Sequence, residues 1–240
     1  SGRKTISPAV SADAKGAYIP MPPRERFDKE LSGLTADLMD MASMVNGVIR
    51  KTSEALEENN MKQAHRIQEG DVVINRFERH IEQTCLSLIK RESPIASDLR
   101  LITAALKIIT DLERAADQCA DICEIIERSG TAPHLEPSEL LLPMMSLAEE
   151  QFANALSAYF DEDKERAQAV MKGDEPVNAM FTKCVNGVAK VISDQPTDAM
   201  AAVDTMMIAK YIERIGDHAT NIAEWAMYLA TGRHPKEALL

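Results

Sequence analysis

The amino-acid sequence predicts an all-α protein, a tandem repeat of two antiparallel three-helix bundles. Aromatic residues make up only 4% of the 240-residue chain and hydrophobic residues 45%, a composition typical of helices packed on helices. Runs of β-branched residues that alternate with polar ones, the pattern of a half-buried strand, are missing from the sequence. Apolar and small residues instead recur at alternating steps of three and four, as on a helix with one buried face.

The first half consists of a leader and three helical patterns. Residues 1–24 carry four prolines and no hydrophobic signal-peptide core, so we expect a flexible leader. Polar or proline-containing breaks separate the three helices of the first unit (25–130): one that ends at the polar residues 57–60, one from about Met61 to Arg91, and one from Pro94 to about Arg128. Gly130 is expected to stop the third helix.

The second half repeats this scheme after a proline-rich linker, residues 131–142. Three further helices make the second unit (143–232), and a tail follows at 233–240. The helices run from about Pro143 to Phe160, from about Asp163 to Ser193, and from Pro196 to about Thr231.

Aligned positions in the two halves indicate an ancient duplication. At one offset five residues of the second helix match: Ala64, Ile67, Gly70, Asp71 and Asn75 with Ala167, Val170, Gly173, Asp174 and Asn178. At a slightly different offset five residues of the third helix match: Glu113, Arg114, Asp117, Ile122 and Glu124 with Glu213, Arg214, Asp217, Ile222 and Glu224.

The charge and the cysteines narrow the function classes. A formal charge of −11 repels phosphate backbones and anionic lipid headgroups, so nucleic acid and bare membrane are disfavoured as partners. No apolar run approaches the ~20 residues needed to cross a bilayer, and we expect a cytoplasmic protein. The four cysteines have neither a disulfide framework nor zinc-finger spacing. They are expected to be reduced and buried: Cys85, Cys119, Cys123 and Cys184.

Carboxylates line one side of the third helix in each half. At about 100° per residue, four acids of the first half fall within an arc of about 80°: Glu113, Asp117, Asp121 and Glu124. The second half repeats the stripe with Glu213, Asp217, Asn221 and Glu224. The preceding helices add further oxygen donors on one face: Asp71, Asn75 and Glu78, and in the second half Asp174 and Asn178.

Such a stripe is either a solvated helix face or a cation site. Like charges four residues apart repel, and a shared cation removes that conflict, so its repetition favours the cation site. All-oxygen donors suit Mg²⁺, Mn²⁺, Ca²⁺ or Fe³⁺, with Zn²⁺ tolerated. The Glu-x-x-His pattern of di-iron enzymes is missing. His218 is interpreted as a polar surface group or a group that supports a ligand.

Two segments resemble a known family. "SPIASDLRLITAALKIITDLERAADQCADI" and "YIERIGDHATNIAE" are similar to the paired signatures of the PhoU family, phosphate-uptake regulators of bacteria, and the resemblance runs from about Arg24 to Arg233. It implies two three-helix bundles, each with a multinuclear metal cluster of iron, zinc, magnesium or manganese. It also implies a non-catalytic role beside a phosphate ABC transporter component and a phosphate sensor histidine kinase, with membrane contact only through such partners. A homodimer is expected.

The family's metal motif falls on two acids in each half. They are Glu113 and Asp117, and Glu213 and Asp217, with Asp71 and Asp174 as the implied cross-helix ligands. "ERAAD" replaces the usual "ERIGD" in the first half, which should matter little. Phe181 stands where the first half has Glu78, so the first site, which has more carboxylates, is expected to hold more metal.

Three functions remain open at this point. A metal-bearing regulator of phosphate uptake leads. A carboxylate-bridged multinuclear metalloenzyme would need an open coordination position and an acid or base, and no His or Lys recurs in both stripes to serve as one. A metal-free helical scaffold needs neither.

Overall fold

The computed structural model confirms the all-α class. It describes residues 10–12, 18–20, 23–129, 136–173, 175–195, 197 and 199–236. Most of these residues lie in seven α-helices: α1 Pro23–Glu58, α2 Met61–Glu92, α3 Ala96–Ser129, α4 Leu141–Phe160, α5 Lys164–Lys172, α6 Glu175–Asp194 and α7 Ala199–Thr231. A 3₁₀ helix, Glu136–Leu140, leads into α4 within the segment predicted as linker.

Two short strands precede the first helix. Strand β1 (Val10–Ala12) and strand β2 (Tyr18–Pro20) pair antiparallel, with Ser11 opposite Ile19. The sequence analysis expected no strand in this leader, because three residues are too few to show a period-two pattern. Residues 23 and 24 of the predicted leader belong to α1, and its remaining residues lie outside the described ranges.

The first connection of each half has the same geometry. Asn59 and Glu162, at equivalent positions, both adopt left-handed backbone conformations, with φ of 51° and 50°. The next residue in each case donates its backbone N–H to a carbonyl five positions earlier, Asn60 to Ala55 and Asp163 to Ala158, both at 2.9 Å. Their side chains then cap the following helix. This combined stop and start signal supports the duplication.

The second helix of the second half is broken in two. The sequence predicted one helix from about Asp163 to Ser193, but α5 ends at Lys172 and α6 begins at Glu175. Pro176 explains the break, because proline has no N–H to donate and its ring clashes with the carbonyl four residues earlier. The first half has Val73 at the equivalent position, and α2 is continuous there.

The two halves share one hydrophobic core. Helices α1, α2 and α3 pack together, α4 packs with α5, α6 and α7, and α3 also packs extensively on α7. The buried apolar side chains of all these helices form one continuous cluster. The four cysteines are free and buried, as predicted. In the described part of the chain no helix is long and apolar enough to cross a membrane.

Inserting the missing proline into the first half tests this account of the break. Val73→Pro should lower the free energy of unfolding by about 3 kcal/mol, because it removes a helical hydrogen bond and adds a clash. The measurement is urea unfolding followed by circular dichroism. Val73→Ala is the control: the side chain is 47% exposed, so its loss alone should change little. Equal stability of the two variants would contradict the explanation.

Candidate metal-binding site

The seam between α3 and α7 sets the relative direction of the two helices that carry the acidic stripes. Asp111 of α3 accepts hydrogen bonds from His218 and Asn221 of α7, whereas Arg128, further along α3, pairs with Asp204 near the start of α7. Residue numbers along this seam rise on α3 while they fall on α7, so the two helices run antiparallel.

Five predicted acids of the first half lie together where α2 meets α3. We call this group the first acidic cluster: Asp71, Glu78, Glu113, Asp117 and Asp121. Each of them either raises the pKa of another carboxyl in the group or has its own pKa raised by one. The structure therefore brings together the acids of α2 and the first three acids of the α3 stripe, and Glu124, the fourth, lies beside Asp121.

Burial and mutual repulsion both act on these carboxyls. The pKa of Glu113 is raised, first by desolvation and then by Asp117 and Glu78. Desolvation likewise leads the upward pKa shift of Asp117, followed by Asp71. The pKa of Asp121 is raised by desolvation and then by Asp117. Charge on the first acidic cluster is thus unfavourable in the protein alone.

Among the described residues only Arg114 forms an ion pair with the cluster, whereas Arg79, Arg214 and His218 lower the pKa of single members without pairing. Arg114 Nε lies 3.5 Å from Glu113 Oε2, and its side chain is 58% exposed. Its positive charge lowers the pKa of Glu113 and Asp117, but by less than desolvation raises them. An exposed ion pair of this kind contributes little, so an additional cation would stabilise the cluster.

Two oxygens beside these acids lack partners. Asn75 Nδ2 donates to Asp71 Oδ2 at 2.7 Å. The other oxygens, Asp71 Oδ1 and Asn75 Oδ1, are buried and accept no hydrogen bond from any described residue. A buried acceptor without a donor is costly, and such oxygens are ordinary ligands of hard cations. The donor set therefore fits a metal ion.

The carboxylates are near one another but do not converge. Within the described ranges, no three His, Cys, Asp or Glu side chains are positioned to hold one ion between them. Ligation would therefore require side-chain rotation. The half-buried Glu113 and Asp117 stand on rigid helix backbone, so rotation about their side-chain bonds is the available adjustment.

The second acidic stripe, Glu213, Asp217, Asn221 and Glu224, already has cations of its own. Lys210 pairs with Glu213 and also lies over the ring of Phe181, 5.1 Å from its centroid. Phe181 stands where the first half has Glu78, so an aromatic ring and the ammonium group of Lys210 lie beside Glu213. Asp217 is exposed, and Asp174 lies outside the described residues.

His234 and Lys236, in the described part of the predicted tail, cover the far end of the second acidic stripe. Lys236 Nζ lies 2.7 Å from Glu224 Oε2 and 3.4 Å from Asn221 Oδ1. The His234 ring packs on Trp225, with ring centroids 4.5 Å apart. Glu224 is consequently buried although it is a carboxylate. The two halves thus differ: Lys210 and Lys236 each pair with an acid of the second stripe, whereas Arg114 forms the one ion pair that the structure describes for the first acidic cluster.

The surface position considered for His218 is wrong. The residue is only 9% exposed, and its Nδ1–H donates to Asp111 Oδ1 at 2.9 Å, since a carboxylate can only accept. Its positive charge when protonated would also reach Asp117. The sequence analysis missed Asp111 because the repeat aligns it with Tyr211, so only the contact across 107 positions reveals it.

Comparison with known proteins gives one family. A profile of the PhoU domain matches residues 38–126 and 141–226, once in each half. The phosphate-specific transport system accessory protein PhoU homolog of Clostridium acetobutylicum is 31% identical over 88% of this chain and 96% of its own. The homolog of Zymomonas mobilis is 32% identical over 88% of this chain and 89% of its own.

Solved structures agree with the sequence matches. The crystal structure of PhoU from Pseudomonas aeruginosa superposes with a TM-score of 0.82 at 27% identity, covering 86% of this chain and 100% of that one. The phosphate transport system regulatory protein PhoU from Streptococcus pneumoniae gives a TM-score of 0.78 at 26% identity, covering 87% and 98%.

Lowering the pH should stabilise the metal-free protein. Because the pKa values of Glu113, Asp117 and Asp121 are raised by folding, the folded state binds more protons than the unfolded state in the range between the ordinary values, about 4, and the raised ones. The free energy of unfolding of chelator-treated protein should therefore rise as the pH falls through this range, as measured by urea titration.

Two matched variants test whether the pH dependence of stability comes from the first acidic cluster. Asp117→Asn removes one titrating group and relieves repulsion on its neighbours, so its stability should depend less on pH. Glu57→Gln, at an exposed position on α1, should keep the slope of the parent chain. A slope in Asp117→Asn as steep as in Glu57→Gln would show that the first acidic cluster is not its source.

Proposed function

The chain belongs to the PhoU family, and we propose that it is a non-catalytic regulator of phosphate-specific transport. One observation carries the proposal: proteins named as accessory proteins of that transport system match nearly the whole chain. The shared region covers 88% of this chain and 96% of the Clostridium acetobutylicum protein, and the fold is shared over a similar extent. The role of those relatives is therefore the best guide to the role of this chain.

Regulation by contact suits the chemistry of this surface. The chain carries a net charge of −11, which disfavours binding of free phosphate or nucleotides to the bare helices. A protein surface that supplies Lys or Arg, or carboxylates joined through a shared metal, is the better match. We propose a phosphate transporter component or a phosphate sensor histidine kinase as this partner, met on the cytoplasmic side, with the chain acting as a homodimer.

The cysteines of the chain support binding over covalent catalysis. Burial raises the pKa of Cys85 and Cys123 to about 12, and it also raises the pKa of Cys119 and Cys184. These thiols stay protonated at neutral pH, and the thiolate is the nucleophile. None is poised to attack a substrate.

Metal ions are proposed at the first acidic cluster. Asp71, Glu113 and Asp117 would hold the ion, with Asn75 and Glu78 near enough to assist. A bound cation would neutralise the mutual repulsion of these acids and join α2 to α3. The unpartnered oxygens of Asp71 and Asn75 support this choice. The second acidic stripe is expected to bind less, because Lys210 and Lys236 already neutralise two of its acids.

Measuring the metal bound per chain in two double variants tests whether the first half binds more metal than the second. Glu113→Gln with Asp117→Asn should remove more than half of the metal bound per chain, whereas Glu213→Gln with Asp217→Asn should remove less. The reason is that only the second pair has an internal lysine beside it. Elemental analysis of protein purified without a metal-affinity column gives the measurement, and circular dichroism checks that the helices remain. Equal loss in both double variants would contradict the proposed asymmetry.

The proposed regulatory role predicts a defect in phosphate uptake in cells that lack the chain, and no catalytic turnover by the purified protein. A strain that lacks this chain should no longer adjust phosphate uptake to external phosphate, and the intact gene should restore the response. The purified protein should not hydrolyse phosphate esters or nucleotides when metals are added. Normal regulation in the deletion strain would refute the proposal. Hydrolysis that disappears in the Glu113→Gln, Asp117→Asn variant would support a metalloenzyme instead.

A further inference from the structure

An open groove runs between α1 and α2, away from the first acidic cluster. Its volume is about 520 Å³. Its floor is apolar, formed by Met44, Val48, Ile67, Val73 and Ile74. The two acids Asp71 and Glu78, and the amide Asn75, lie on a neighbouring side of α2 that faces α3, since successive residues are turned by about 100°. The groove is therefore a surface separate from the candidate metal site.

Two glycines keep the groove open. Gly47 of α1 and Gly70 of α2 both line it, and a methyl group added at either would meet no atom within 4 Å. Glycine weakens the interior of a helix relative to alanine, so packing within this chain does not account for either residue. Their absent side chains instead let another backbone approach α1 and α2 closely, as at tightly packed helix interfaces.

The rim of the groove is basic in an acidic protein. Lys51 on α1 and Arg66 on α2 line it, and neither forms an ion pair with a described carboxylate, although the chain has 38 acids and 27 basic residues. Glu54, the acid on the rim, is already engaged by Arg50 and Gln63. The uncompensated charge at the groove is positive.

We propose that this groove docks an amphipathic helix of a partner protein whose apolar face is flanked by Asp and Glu. The apolar side chains of the partner helix would cover the floor, and its acids would meet Lys51 and Arg66. Together with α1, α2 and α3, the partner helix would form a four-helix bundle. A second copy placed by a twofold axis would set these basic residues against themselves. The leader of this chain, with Arg3, Lys4 and Lys15, has the wrong charge.

This proposal gives the partner a contact on a surface other than the acidic one, and it rests on the proposed function only for the existence of a partner protein. It does not depend on the metal. Variants of Glu113 and Asp117 should therefore leave docking in the groove unchanged.

Site-specific photocrosslinking in cells tests the docking site in the full-length chain. The photoreactive residue p-benzoylphenylalanine is placed at Val73, which lines the groove, or as a control at Val72. The two valines are equally exposed, at 47% and 48%, but Val72 does not line the groove. Position 73 should give an adduct whose peptide, sequenced by mass spectrometry, has apolar residues at helical spacing flanked by acids.

Two sets of variants then separate docking from folding. Lys51→Glu with Arg66→Glu should reduce the adduct about tenfold, while Lys29→Glu with Lys90→Glu, the same change of charge outside the groove, should not. Gly47→Leu should also reduce the adduct while the thermal midpoint stays equal or rises, because leucine is the better helix former. Loss of the adduct in that variant cannot then be ascribed to unfolding.

Four outcomes would overturn the docking site. They are an adduct with another copy of this chain, an adduct with a peptide that lacks flanking acids, equal yields at Val72 and Val73, and unchanged yield in either groove variant. An acid-flanked helical adduct in a strain whose phosphate uptake does not depend on this chain would refute the proposed function and leave the groove standing.

Discussion

The packing of α3 against α7 is the contact on which the rest of the structure depends. Each of these helices belongs to one three-helix unit, and their seam joins the two units into one core. Small buried residues on both helices favour close packing: Ala115, Ala116, Ala209, Gly216 and Ala219. The pair of Arg128 with Asp204, and the bonds that Asp111 accepts, fix the register. Both acidic stripes belong to these two helices, and α2 adds Asp71 and Glu78 to the first of them.

Duplication gave the chain two similar acidic helices, but the surrounding residues have made them different. In the first half, burial and repulsion leave the carboxyls short of positive charge. In the second half, Lys210 and Lys236 supply it from within the chain. The difference follows from residues beside the motif and not from the motif itself. Two matching signatures in one sequence are therefore a poor measure of whether two sites are equivalent.

The sequence predicted helix positions well, because long amphipathic patterns with clear breaks leave few alternatives. Helical spacing alone puts Glu113 and Asp117 on one side of α3, and the structure places Asp71 and Glu78 of α2 near them. The sequence prediction missed the break at Pro176 because the apolar pattern continues on both sides of it. It could not find the contact between Asp111 and His218, which depends on how two distant helices pair. The groove beside Gly70 likewise arises only when α1 and α2 are placed together.

The docked tail has a consequence for spectroscopy. Trp225 is the only tryptophan of the chain, and its indole packs against the tilted ring of His234, beside the pair of Lys236 with Glu224. Its emission therefore originates from the place where the tail meets the second acidic stripe. The native protein carries an optical probe at this spot, which reports the environment of the tail without any attached dye.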